Sequence, residues 1–329
     1  MSFFAQLAEL FKSPAPPDPA VQAAFAQVVQ WVDPLVRAAP HLEKHLFDAV
    51  EHALGYCQDI VSALPGPLAV NRQSFSQDPL IHALFATPSD IQEMLGRSEA
   101  VRDFLERVDS WQEPEFYALL AARRQQKKQF GMAQQGDIIR NDVPQNVLYF
   151  SDQTLVEPHC DLVQTRERLR CRALESLLRT FNEHIEQLRQ DRESLRTDIS
   201  VENALLQMQK SRAHFSPEDG YARHLDELTQ RLRENGALLA PENLVEQLAD
   251  FLRRPESALH LTPVSYCINR LGIIQTPESA ELDAQQIHFS EFSTRDRRQH
   301  LAALVRISRA EAQQAVDAAR QHNIRRILI

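Results

Sequence analysis

Three features of the sequence predict a mainly α chain, α+β overall. They are a heptad of apolar residues through the middle third, a scarcity of glycine, and a few short strand-like stretches that helices must cover. Cys171, Leu178, Ile185, Arg192, Ile199 and Leu206 recur every seven residues, with Leu174, Phe181, Leu188 and Leu195 on the complementary offset. That is the a/d pattern of a helix packing along one seam. Only 8 of 329 residues are Gly, whereas Leu, Ala, Glu, Gln and Arg, which lose little side-chain entropy in a helix, are abundant. The predicted architecture is a helical N-terminal body with a small β-hairpin or meander, a long coiled-coil-like helical hairpin, and a small C-terminal α+β module. The divisions fall at 1–19, 20–160, 161–240 and 241–329.

Residues 2–11 carry Phe3, Phe4, Leu7, Leu10 and Phe11 at helical spacing, an amphipathic stretch. Pro14, Pro16, Pro17 and Pro19 then form a stiff linker. Residues 20–38 and 41–63 read as two packed helices, with Pro34 kinking or ending the first and Leu64-Pro65-Gly66-Pro67 breaking the chain after the second. An extended stretch leads to about Gln77. Three short helices follow, opened by Asp78-Pro79, by Thr87-Pro88-Ser89-Asp90 and by Ser98, with Gly96 ending the second. Pro114 is expected to open a further helix through Phe116, Leu119 and Leu120 to about Phe130. Residues 137–139, 146–150 and 154–156 read as short strands, punctuated by Gly136, Asn141-Asp142 and Ser151-Asp152.

The long helix is expected over residues 162–210, roughly 70 Å at 1.5 Å per residue, and a return helix of roughly 25 Å ending at Gly236. The return helix covers only part of the seam, so Leu174 through Leu188 need another cover, from the N-terminal helices or from a second subunit. Pro241 opens a helix to Arg253. Residues 258–268, 286–292 and 301–307 read as strands, Pro263 holding the first to a sheet edge. Ser308-Arg309-Ala310-Glu311 is a capping box for a helix to about Gln321, and residues 326–329 read as a final strand.

The chemistry-bearing motifs are absent: no P-loop, GxGxxG, HExxH, GxSxG or EF-hand loop. No catalytic residue, metal ligand or cofactor is expected. His41, His45 and His52 have helical metal-pair spacing but lie away from the apolar face of their helix, as solvated residues do. His159-Cys160 is adjacent in sequence, which does not supply the spatial contact of a nucleophile and its base. Four cysteines without a CxxC pair, no secretory leader and no long apolar run place the chain in the cytoplasm as a soluble protein.

The net charge of -9 counts against nucleic acid as a partner. Membrane contact is limited to weak peripheral contact by residues 2–11. The leading expectation is therefore a non-enzymatic interaction, assembly or regulatory protein. It would self-associate or dock on another protein through the seam residues Leu174, Leu178, Phe181, Ile185, Leu188, Leu195 and Ile199. Two alternatives stand beside it. One is an enzyme with a site near residues 137–160, using side chains such as Asp152 or His159. The other is a nucleic-acid-associated protein using Arg123, Arg124, Lys127 and Lys128, which at helical spacing would share one helix surface.

Overall fold

A computed structural model describes residues 18–107, 113–135, 138–210, 219–275, 284–293 and 299–327. In chain order the elements are α1 (Pro19–Trp31), α2 (Pro34–Arg37), α3 (Leu42–Ser62), β1 (Leu68–Ala69), α4 (Arg72–Gln77), α5 (Pro79–Leu84), α6 (Pro88–Arg97) and α7 (Glu99–Leu105). Next come β2 (Glu115–Gln135), β3 (Ile138–His159), α8 (Leu162–Lys210), α9 (Asp219–Leu238) and α10 (Pro241–Leu252). The chain ends through β4 (His260–Ile268), β5 (Gln285–Ser293), β6 (Gln299–Ser308) and α11 (Arg309–Ile327). Among the described residues no helix is long and apolar enough to cross a membrane. The amphipathic stretch expected at residues 2–11 lies outside the described residues.

The contacts divide the chain into two compact units, each built from two stretches. The first is Met1–Cys57 with Ala173–Pro255, and the second is Gln58–Arg172 with Glu256–Ile329.

The second unit overturns the mainly helical class predicted above. It holds a six-stranded sheet in the order β3-β2-β6-β5-β4, antiparallel throughout, with β1 pairing β6 in parallel beside it. Residues expected to form a helix from Pro114 to Phe130 are instead part of the 21-residue strand β2. The apolar residues there alternate: Phe116, Ala118, Leu120 and Ala122 are buried on one face. The alanines gave the segment its helical appearance, and pairing on both sides with β3 and β6 overrode that propensity. The three short strands expected before Pro158 are one continuous strand, β3, kinked where the β2–β3 register shifts.

β6 is central and buried on both faces, which is why its sequence is a continuous apolar run. Leu301, Ala303, Val305 and Ile307 face the main core with α5, α6, α7 and α11, while Ala302 and Leu304 pack on Val61, Leu64 and Leu169. The strands β4, β5 and β6 thus belong to the same sheet as β2 and β3. β4 sits at the end of the ladder, where the missing N–H of Pro263 does no harm. Beyond β4 the chain turns back, and single bridges join Ile268 to Ile274 and Ile273 to Val147 of β3. The two ends of the sheet are thereby linked at one rim, and the sheet curls around the main core. Two helices also differ from expectation. Asn71 caps the short helix α4 where an extended stretch was expected, and α11 continues through Ile327 where a final strand was expected.

In the first unit, α8 is a core element and not one arm of a free coiled-coil hairpin. Its Asn182 accepts from the Asp33 N–H and donates to the Trp31 carbonyl, at 3.1 and 2.8 Å. Its Arg189 reaches Asp33 at 2.9 Å, the same carboxylate oxygen that caps α2. Phe181 packs against Phe251 of α10 in a tilted arrangement with ring centroids 5.6 Å apart. Asn235 of α9 donates to the Leu188 carbonyl at 3.1 Å.

Candidate interaction site

The β2–β3 pair outruns its sheet. β6 accompanies β2 only from Glu115 to Arg123, yet β2 and β3 stay paired to Gln135 and Ile138. Backbone bonds from the 272–274 segment hold β3 at Asn146 and Leu148, each 2.8 Å. From Gln129 outward the ribbon has only two strands among the described residues. Seven β2 residues at about 3.3 Å each make this overhang about 23 Å long. Its root is fixed by polar contacts on the core-facing side. Arg124 forms a buried ion pair with Glu291 of β5 and lies 5.6 Å from the centre of the Tyr266 ring, whose hydroxyl accepts from Gln126 at 3.1 Å. Burial pushes the Glu291 carboxyl up from its ordinary value, and the charge of Arg124 offsets this only in part. On the opposite side Gln125 accepts from Tyr149 at 2.6 Å and donates to Ser151 at 2.7 Å.

The overhang carries Phe130 and Met132, which are 76% and 71% exposed. Lys127 and Lys128 precede them, both exposed and in no ion pair among the described residues. The signal for this surface is the run Lys127-Lys128-Gln129-Phe130-Gly131-Met132. Read as the end of a helix, the run offers only its lysines as a basic surface, because strand pairing is what takes Phe130 away from any core.

The four basic residues expected on one helix surface are on a strand, so they alternate between its faces. Arg124 is committed to Glu291, and Arg123 and Lys127 share one face while Lys128 points to the other. The seam residues lie within the first unit: Leu174, Leu178, Phe181, Ile185, Leu188 and Leu195 are buried and Ile199 is half-buried. The exposed large apolar side chains of α8 lie outside the seam, at Val163 before it and at Val201, Leu205 and Met208 beyond it.

A cleft of about 770 Å³ opens in the second unit between α6, the start of α7 and the kink in β3. Its floor is Met94, Phe150 and Leu155, and its walls bring four carboxylates, Asp90, Glu93, Glu99 and Asp152, against the single guanidinium of Arg97. Asp90 also closes the capping box of α6 by accepting from the Thr87 N–H at 2.8 Å, and Arg97 pairs with Glu93. Asp152 sits at the β3 kink with φ of 55°. Sequence reading marked Asp152, but the other three acids are signalled only as helix caps and helix surface.

His41, His45 and His52 are exposed, and among the described residues no three metal-ligating groups converge. His159 accepts from the Asp161 N–H at 3.1 Å through Nδ1 and does not line the cleft. Ser265 and His288 are 2.7 Å apart across β4 and β5, but both are exposed and among the described residues no third group orients the imidazole. Burial raises the Cys171 thiol above its ordinary value, which keeps it protonated and unreactive. No protein-family model, no curated protein and no solved structure matches this chain.

Proposed function

We propose that this chain is a non-enzymatic interaction and assembly protein that docks on another protein through the β2–β3 ribbon. The observation that carries the reading is the overhang itself, with Phe130 and Met132 exposed at its outer part. A two-stranded ribbon is marginal in water, and its unpaired edges are templates for a further strand. A large aromatic held out on such a ribbon costs solubility unless something covers it. Lys127 and Lys128 beside it add steering toward an acidic surface and suppress wrong pairings. The nucleic-acid reading is weaker, because the two free lysines point to opposite faces and the chain as a whole carries -9. The role is set in the cytoplasm, where four uncrosslinked thiols stay reduced.

The test places a photo-cross-linking side chain at position 130 in living cells. The expected result is a discrete protein adduct that disappears when Lys127→Glu and Lys128→Glu are added. A protein that keeps its melting temperature and gives no adduct refutes the reading.

A further inference from the structure

The ribbon needs an acceptor, and the chain carries a surface with the matching chemistry. The cleft beneath the β3 kink has an apolar floor of Met94, Phe150 and Leu155 and four carboxylates against one guanidinium. The ribbon offers Phe130 and Met132 with two unpaired ammonium groups. A volume of about 770 Å³ is in the range that takes several side chains. Glu99 and Asp152 meet no cation among the described residues, so an incoming lysine would find carboxylates to pair with.

The two surfaces of one molecule cannot meet. Phe130 pairs across the ribbon with Pro144, and the cleft begins at Phe150 of the same strand. The residues between them form continuous β-strand, a span of about 20 Å that cannot fold back on itself. We propose, building on the docking role above, that the ribbon's partner is a second copy of this chain and that the acidic cleft is its receptor. The contact is heterologous: the ribbon of one copy enters the cleft of the next, so assembly proceeds head to tail into a ring or a short filament. Because the charged part of the contact lies near solvent, assembly weakens as salt rises.

The experiment uses the purified full chain and measures mass by light scattering over a concentration series. A ribbon variant carries Lys127→Ser, Lys128→Ser and Phe130→Ser. A cleft variant carries Glu99→Lys and Asp152→Asn, asparagine being tolerated at positive φ. The wild type should exceed monomer mass with rising concentration, and each variant alone should need about tenfold more protein to associate. An equimolar mixture of the two should form dimers and stop there, since only one intact ribbon and one intact cleft remain to meet. A wild type that stays monomeric overturns the inference, as does an oligomer indifferent to both variants or a mixture that stays monomeric. If the triple variant loses its fold, Phe130→Ser alone, at an exposed position, serves in the same comparison. A monomeric wild type that still gives a cross-linked adduct with a different protein at position 130 removes the second copy and leaves the docking role standing.

Discussion

Single residues in this chain do their work through what alternation and burial make of them. Gly96 reads in sequence as a helix end and is the last residue but one of α6, where it is also buried. A Cβ there would come within 2.7 Å of the Ala315 carbonyl oxygen of α11. The glycine marks a close helix crossing, and only the partner helix reveals that. Arg124 reads as one of four equivalent surface cations, and it is the one withdrawn from the surface by Glu291. That pair has a consequence for pH. Glu291 is raised by burial, so the folded state holds its proton more tightly than the unfolded chain does. In the window from the ordinary glutamate range up to the raised value, stability therefore falls as pH rises. Glu291→Gln, which removes the titration and keeps an acceptor for Arg124, should flatten that part of a stability-versus-pH curve measured by chemical denaturation. A slope unchanged by the substitution would show that the group does not titrate in the window.

At the scale of elements, α8 was legible from end to end. Its expected span of residues 162–210 matches Leu162–Lys210, because the heptad and the helix-forming composition agree over 49 residues. What covers the seam was not legible, since an a/d stripe specifies a packed face and not the identity of the neighbour. The neighbours are Asp33 and Trp31 at the α1–α2 junction, Phe251 of α10 and Asn235 of α9. Phe181 is 3% exposed in this packing, so Phe181→Asp should cost the first unit about 4 kcal/mol or more through lost burial and an unpaired buried charge. A thermal melt should show that loss, and a melting temperature within a degree or two of wild type would contradict the packing. For β2 the signals conflicted: alanine, leucine and glutamine favour helix, while Phe116, Ala118, Leu120 and Ala122 keep a period of two. The ladder partners β3 and β6 decided it.

For the whole molecule, the strands β4, β5 and β6 were legible as strands, but their sheet was not. The sequence reads as if the last 89 residues closed on themselves as a module, since β pairing leaves no local mark of which strand lies beside which. β6 in fact lies between β5 and β2, and its core face packs against Leu120 and Phe116 from far earlier in the chain. A fragment of residues 241–329 should therefore fail to fold alone, and a one-bond nitrogen–proton spectrum should show narrow amide dispersion. Wide dispersion with a cooperative melt would mean the pairing with β2 is dispensable. By itself the sequence determined helix starts such as those at Asp78 and Ser98, which bond their own first turns, and the period of α8. These are local, set by residues within a few positions of each other. Tertiary structure decided the rest: that residues 115–135 are strand, that the seam is core, that the ribbon leaves its sheet at Arg123, and that three helix-surface acids join Asp152 around a cleft. Each depends on contacts between residues distant in the chain, whose energy exceeds local propensity and whose partners periodicity does not identify.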